Sequence, residues 1–403
     1  MTVQTAVLDL GGSSCKLGLN SDTEPRIIPN CVSKAKNERR KVYFGDQLNE
    51  CKDFSGLFYV LPFQKGYLVN WDVQRQLFDF MFSKESLKVD SSEANLVITE
   101  PVFNFTSIKE CLDEIMFEEH QFKALSRNRA AELVNIKHIS ENNSSKPLCT
   151  LVVDSGFSFT HVIPVCQGEI LKNAVKRIDV GGKVMTNYLK EIISYRQLHV
   201  LDETYVMNQV KEDCCFVSTD FNHDMEITKQ KRKLNTIARD YILPDYTNVK
   251  RGFIRPLEEM LTKYTGTEQL LKMNNERFTV PELLFHPSDV GIQQMGIPEA
   301  IHESVKSTDI LQQPHFYKNI VLVGGNTALP GFNRRALSEV RKTCPDDFDL
   351  NIVSPNNPAG YAWQGGVELS KKPDFISNFC VTKKEYEESG KNICMQKFDK
   401  IEK

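Results

Sequence analysis

Ala6–Val7–Leu8–Asp9–Leu10–Gly11–Gly12–Ser13–Ser14 runs from apolar residues through an aspartate into a glycine–serine turn. Leu151–Val152–Val153–Asp154–Ser155–Gly156–Phe157–Ser158 repeats that grammar in mid-chain. Val321–Leu322–Val323–Gly324–Gly325–Asn326–Thr327 is a third version that lacks the aspartate. Each apolar run is short and rich in β-branched residues, so each reads as a strand. The chain turns apolar again at 15–19 and at 159–164, which makes the first two segments strand–turn–strand hairpins. A Walker loop would lead into a helix instead, and both G-x-x-x-x-G-K-[S/T] and G-x-G-x-x-G are absent. Two related halves, each with one Asp–Gly hairpin, predict a duplicated α/β unit.

The segments around the hairpins read as helices. Ser107-x-x-Glu110 reads as a capping box ahead of Ile108, Cys111, Leu112, Ile115 and Met116. Val184, Met185, Tyr188, Leu189, Ile192 and Ile193 form a second stripe just after Gly181–Gly182. Asp72 reads as the cap of a third, with Val73, Leu77, Phe78 and Met81. Such stripes face a core. Residues 30–54, 141–146 and 221–275 read as surface segments, and 383–403 as a surface helix with a frayed tail.

Composition narrows the classes. At ~150 residues per domain, 403 residues predict two to three domains with a sizeable core. With 50 Lys+Arg against 53 Asp+Glu, bulk charge cannot hold nucleic acid. No run approaches the ~18 apolar residues of a membrane span, and Asp9 interrupts any secretory h-region, so no membrane partner is expected. The 11 cysteines have irregular spacing without C-x-x-C, which predicts buried thiols in a reducing compartment. The histidines form no zinc pattern.

A tight glycine–serine turn between strands aims successive backbone N–H groups into one concavity, an anion nest suited to polyphosphate. Asp9 and Asp154, one at each strand end, suit Mg²⁺ held through water, because Mg²⁺ prefers one or two carboxylates plus phosphate oxygens. Two facing hairpins would clamp a nucleotide between two lobes.

These motifs resemble the actin superfamily along nearly the whole chain. Asp9 to Lys16 resembles its first phosphate loop, Asp154 to His161 the second, and Val323 to Gly331 the adenosine-side motif. Further matching blocks are 66–72 (GYLVNWD), Thr99–Glu100–Pro101, Val210–Lys211–Glu212, Asn275–Glu276–Arg277–Phe278 and 384–390. The resemblance implies an actin-like two-lobe α/β fold with four subdomains. The first comprises 1–27, 62–146 and 361–403, and the second 28–61. The third comprises 147–180 and 293–360, and the fourth 181–292 with an insertion near 246–274. It also implies a nucleotide cleft for ATP with Mg²⁺. That cleft would use Asp9, Gly11, Gly12, Ser13, Ser14, Lys16, Asp154, Gly156, Ser158, Gly182, Lys211, Glu212, Gly324 and Gly325, with Asp9 and Asp154 toward the metal.

Within the superfamily, 56–72, 155–161 and 192–204 are most similar to the actin-related protein 6 family. That resemblance implies a nuclear, non-filamentous subunit of a Swr-type chromatin remodelling complex, which exchanges a core histone for its Z variant. Its partners would be a zinc-HIT subunit and the motor ATPase, with histones or nucleosomal DNA met indirectly. Some family members are associated with heterochromatin. The competing readings are an actin-like ATPase and a cytoskeletal polymer.

The chain departs from conventional actin where hydrolysis is done. The water-positioning glutamine falls at Ala130, the second-loop aspartate at Phe157, and the following glycine at Ser158. On the adenine side, Leu329 replaces an aromatic and Ala359 a lysine. The resemblance therefore implies a structural nucleotide rather than a substrate. The 32–43 segment carries Lys34, Lys36, Arg39, Arg40 and Lys41, which would repel identical copies and disfavour a filament. It reads either as a contact for acidic protein or DNA or as a solvated loop. Lys229 to Lys233 reads as an import patch or a solvated face. The insertion carries Val249, Phe253, Ile254, Leu257, Met260, Leu261, Leu270, Leu271 and Met273, an apolar set expected, with the Lys229 to Lys233 run, to be a main docking surface for the complex; the competing reading is that it folds back onto its own subdomain.

Overall fold

The computed structural model describes residues 3–36, 41–52, 54, 57–142, 146–231, 233–256, 259 and 266–399. Two six-stranded sheets form its frame. In the first, Thr5–Leu10 and Ser14–Leu19 pair antiparallel and close at Leu10 opposite Cys15. Thr5–Leu10 also runs parallel to Asn95–Glu100, which runs parallel to Ala124–Arg129. In the second sheet, Cys149–Ser155 and Thr160–Cys166 pair antiparallel and close at Ser155 opposite Thr160. Cys149–Ser155 also runs parallel to Ile320–Val323. Each sheet thus contains the same unit, a hairpin whose first strand has a parallel neighbour on its other side. The unit was legible because alternation and turn chemistry are local. Parallel strands end together, so each sheet delivers its loops at the carboxyl edge, where α/β folds bind ligands.

Two helices separate the sheets. Ala130–Glu141 and Tyr361–Ser370 pack so closely that a Cβ on Gly365 would overlap the Leu133 carbonyl. On one side Leu133 and Trp363 cover Val7 and Val97 of the first sheet. On the other, Val134 and Tyr361 cover Val152 and Val321 of the second. Trp363 Nε1 donates to the Val7 carbonyl at 3.0 Å and anchors the pair. The outer face of each sheet carries its own larger core.

The predicted helical stripes are present, but two caps differ. Asn70, not Asp72, caps Trp71–Phe82, its side chain accepting from the Val73 N–H at 3.2 Å. Asp72 lies in the first turn, where its charge meets the positive end of the helix dipole. Thr106–Glu114 starts before Ser107, so no capping box forms there; Phe105 precedes it, its ring 5.0 Å from that of Tyr67 and tilted 56° to it. The stripe at 184–193 lies on Gly182–Arg196 as expected, with Met185, Leu189 and Ile193 buried.

Two segments expected at the surface are partly built in. Within 30–54, Asn30, Ser33, Ala35, Tyr43, Leu48 and Cys51 are buried, and the apolar ones share a small core with Leu57. Within 221–275, Phe221–Thr228 is a helix, and Arg239–Ile242 pairs with Phe253–Ile254 and Leu270–Met273. Leu271 and Met273 join the main core, Ile254 packs against it, and Phe253 stays exposed. Leu271, Met273 and Ile254 therefore fold back onto their own subdomain. Leu257, Met260, Leu261, Arg39, Arg40 and Arg232 lie outside the described residues. At the C-terminus the expected surface helix is two, Lys383–Ser389 and Lys391–Phe398, the latter with Cys394 and Phe398 buried, and the end of the expected tail, 400–403, lies outside the described residues. Asp399 is held by Lys109 at 2.6 Å, Arg129 at 2.8 Å and Arg127 at 3.1 Å. All 11 cysteines are free thiols, and all but Cys111 are buried.

Candidate functional site

The two hairpin turns face each other across a cavity of about 540 Å³. That volume lies within the ~300–1,000 Å³ of small-molecule sites. The cavity wall contains every residue expected at the nucleotide cleft, from Asp9 and Lys16 to Gly324 and Gly325. Residues separated by more than 300 positions therefore meet in one place.

Asn30 sets the first loop. Its backbone N–H donates to the Ser13 carbonyl at 2.8 Å and its Nδ2 to the Gly11 carbonyl at 2.9 Å. With those carbonyls engaged, the N–H groups of Gly12 and Ser13 have no acceptor among the described residues, while the Gly11 N–H turns to the Cys15 sulfur. A Cβ on Gly11 would stand 2.5 Å from the Ser14 carbonyl oxygen, so only glycine allows this tight turn.

The second loop is held by the helix behind it. The N–H groups of Gly182 and Lys183 donate to the Gly156 and Phe157 carbonyls at 3.0 and 2.9 Å. Asn326 Nδ2 also donates to the Gly156 carbonyl, at 2.7 Å. The N–H groups of Phe157 and Ser158 again lack acceptors among the described residues. Facing sets of unpaired N–H groups form two halves of an anion nest.

The aspartates sit at the strand ends above this nest. Asp9 accepts from Thr99 Oγ1 at 2.8 Å and pairs with Lys16 at 3.4 Å. Burial and the nearby Asp9 charge raise Asp154 to about 6, against the pull of Lys16. Two carboxylates share a single lysine here, so the site is short of positive charge. That fits a hydrated Mg²⁺ between Asp9 and Asp154, which would neutralise the carboxylates and phosphate oxygens together.

The adenosine-side residues divide by role. Lys211 is buried and spends its ammonium on Asn208 Oδ1 at 2.9 Å, Thr186 Oγ1 at 3.0 Å and the Gly182 carbonyl at 3.2 Å. All three protons are used, so Lys211 braces the wall rather than reaching out from it. Glu212 accepts from Asn208 Nδ2 through one oxygen, at 2.7 Å. Gly324 has φ +91°, and a Cβ there would overlap the Ser155 carbonyl. Gly325 is open on its side-chain face. Leu329, Pro330 and Ala359 line the same wall and offer no aromatic ring for stacking.

Ala130, Ala131, Val134, Ile163, Ala362 and Phe157 give the same cavity a largely apolar stretch of wall, in which His161 is the polar exception. His161 pairs opposite Asp154 in the hairpin register and is almost fully buried. Burial and the Arg177 charge push it down to about 4, so it is neutral at pH 7. Its ring centroid lies 4.3 Å from that of Phe159.

Sequence reasoning missed the residues that position the loops and close the cleft. Asn30 gave no signal, and Thr99 stood out only within a matching block. Arg177 donates to Tyr67 Oη at 3.2 Å and to the Lys65 carbonyl at 3.0 Å, and its guanidinium lies 4.6 Å from the Phe159 ring centroid. The contacts with Tyr67 and Lys65 join segments over 100 residues apart, so no local pattern marks them.

The actin family profile matches residues 1–399. Actin-related protein 6 of Drosophila melanogaster is 42% identical, covering 97% of this chain and 98% of its own length. Actin-related protein 6 of Oryza sativa subsp. indica is 37% identical over 97% of this chain and 98% of its own. An actin-like protein of the same designation from Cryptococcus neoformans is 38% identical over 98% and 85%. Taken with the paired hairpins and the cleft between them, these matches place the chain in the actin family, with its two-lobed α/β fold, and within that family among the actin-related protein 6 proteins.

Proposed function

We propose that this chain is a non-catalytic subunit that keeps a nucleotide with Mg²⁺ as a structural ligand and assembles a Swr-type chromatin remodelling complex in the nucleus. The observation that supports the first half is the contrast inside one cavity. Its phosphate side has unpaired N–H groups, Lys16 and two carboxylates, whereas Ala130 and Phe157 contribute only a methyl and a phenyl, with the neutral His161 imidazole nearby. Positioning and activating a water molecule by a polar group is worth ~10²–10⁴ in rate, and neither Ala130 nor Phe157 has such a group. Hydrogen bonds to a charged ligand contribute ~1.5–3 kcal/mol each, so binding survives the loss of that chemistry.

The second half rests on membership among the actin-related protein 6 proteins and on the resemblance that points from there to a motor ATPase and a zinc-HIT partner. Histones and nucleosomal DNA are then met through the complex. Affinity pull-down of the tagged chain from nuclear extract, read by mass spectrometry, is expected to recover both partners. Recovery of neither, from an extract in which the complex is intact, contradicts the assignment.

Self-association is not part of this role. Lys34 and Lys36 are exposed, while Lys41 pairs with Glu50 at 3.2 Å and lies over the Tyr43 ring. High-speed sedimentation in polymerising salt should leave the protein in the supernatant.

A further inference from the structure

The hairpin whose tip is the second turn carries a pair of thiols at its other end. Cys149 opens its first strand, Cys166 ends its second, and the two are direct partners in the register. Cys149 Sγ donates to Cys166 Sγ at 3.3 Å. The ladder explains this closeness. The Gly156 N–H donates to the Phe159 carbonyl at 3.0 Å and the Gln167 N–H to the Leu148 carbonyl at 2.9 Å, so both of these levels are hydrogen-bonded pairs. Such levels alternate with non-hydrogen-bonded ones, and Cys149 with Cys166, one step in from Leu148 and Gln167, is of the second kind. Cα atoms at such a level are ~4.5 Å apart, inside the ~4.4–6.8 Å that a disulfide spans. Both side chains belong to the same core cluster, so they lie on one face of the sheet.

Access to the pair comes from one side. Cys149 is fully buried, whereas Cys166 keeps 8% exposure. Cys166 leads into Gln167–Gly168, an exposed two-residue turn with φ +51° and +85°. A Cβ on Gly168 would meet nothing within 4 Å, so that turn stands clear of the chain. A small oxidant therefore meets Cys166 first. Burial and the neighbouring Cys166 push Cys149 up to about 12, so the pair rests as a dithiol and reacts slowly. What sets it apart from a lone buried thiol is contact: two groups held together react as if at very high concentration.

We propose that Cys149 and Cys166 are a reversible thiol–disulfide modification site that a peroxide closes. The Cys166 sulfur attacks one peroxide oxygen: an S–O bond forms, the O–O bond breaks, and the second oxygen leaves as water with the thiol proton. The Cys149 sulfur then attacks the Cys166 sulfur: the S–S bond forms, the S–O bond breaks, and a second water leaves with the Cys149 proton. Two thiols lose two electrons in all, and the peroxide gains them. A thiol reductant reverses the bond by exchange. The bridge ties the base of the strands whose far ends carry Asp154 and the open N–H groups of Phe157 and Ser158. Neither sulfur lines the cavity, so the site stands apart from the nucleotide reading.

The test uses the full chain, reduced and then exposed to hydrogen peroxide while folded. Samples are quenched with N-ethylmaleimide in denaturant, digested without reduction and read by mass spectrometry. A peptide pair joined through Cys149 and Cys166 should form about tenfold faster than any other linked pair and disappear on adding dithiothreitol. Peroxide added in urea should give mixed pairs instead, because the fold no longer selects the partners. Cys149→Ala should halt Cys166 at the sulfenic acid, where dimedone captures it. Should that variant misfold by circular dichroism, Cys149→Ser gives the same readout. Absence of a dimedone adduct on Cys166 in the folded variant overturns the order of attack. Oxidation of other cysteines while Cys149 and Cys166 both still take up maleimide overturns the site. So does a Cys149–Cys166 link that is no more frequent in the folded protein than in urea.

Discussion

In the first hairpin the turn is Gly11, Gly12, Ser13 and Ser14; in the second it is Gly156, Phe157, Ser158 and Phe159. Both leave backbone N–H groups unpaired toward the cavity. Around those groups the two differ. The first turn surrounds them with small residues and with the Asp9–Lys16 pair. The second surrounds them with rings: Phe157 packs near Gly182, and Phe159 packs beneath Gly66 and against His161 and Arg177. Both copies of the repeated unit leave backbone donors open to the cavity, while the second surrounds its donors with rings where the first has an ion pair. Such donors belong to the fold and do not depend on which side chains the turn carries.

The largest effect comes from attacking the closure of the second loop. Gly66 has φ +80°, and a side chain there would overlap the Phe159 ring. Gly66→Val should cost about 4 kcal/mol of stability, from left-handed backbone strain plus overpacking. Urea denaturation measures it. A loss below 1 kcal/mol would show that Phe159 is free to move and that the second loop is not a packed closure.

The first loop is tested through its ligand. At 100 times its Kd, Mg-ATP should stabilise the wild type by about 2.7 kcal/mol. Gly11→Val should cancel that gain, since its Cβ would stand 2.5 Å from the Ser14 carbonyl. Thermal melts with and without millimolar Mg-ATP check this. No shift in the wild type, and no nucleotide recovered from the denatured protein, would leave the cleft without a ligand.

A smaller effect separates the two aspartates. Asp154 is raised to about 6 in the native protein, above its ordinary 3.8. Native protein therefore binds an extra proton between those values, and ligand-free stability falls as pH rises from 4 to 6. The fall should be about 2 kcal/mol. Asp154→Asn should remove it, so the variant is the more stable protein at pH 7.5 and gains little at pH 4. Equal pH profiles for the two proteins would mean that Asp154 is already charge-balanced. Protonation also opposes a cation, so Mg-ATP affinity should weaken below pH 6.

Much of this was legible because strand alternation, turn glycines and helical stripes are written in neighbouring residues. Both hairpins and the Gly182–Arg196 helix belong to that class. The cap at Asn70 was misassigned because Asn70 and Asp72 are both good acceptors, and only the helix start decides between them. The 30–54 segment mixes polar and apolar residues without a period, so its small core at Tyr43, Leu48 and Cys51 gave no pattern. Asp399 looked like tail, yet its partners Lys109, Arg127 and Arg129 are some 270–290 residues away. Lys211 was expected to face a ligand, but three neighbours at 182, 186 and 208 take its protons, and that depends on how two helices cross.

Central to the account is a cleft that holds a nucleotide without hydrolysing it. Its most direct test is single-turnover hydrolysis of radiolabelled ATP by the wild type beside the Ala130→Gln, Phe157→Asp double variant. The account predicts that ATP is recovered intact from the wild type, with turnover no faster than the double variant's. Turnover by the wild type at the rate of conventional actin, abolished by Asp154→Ala, would contradict it.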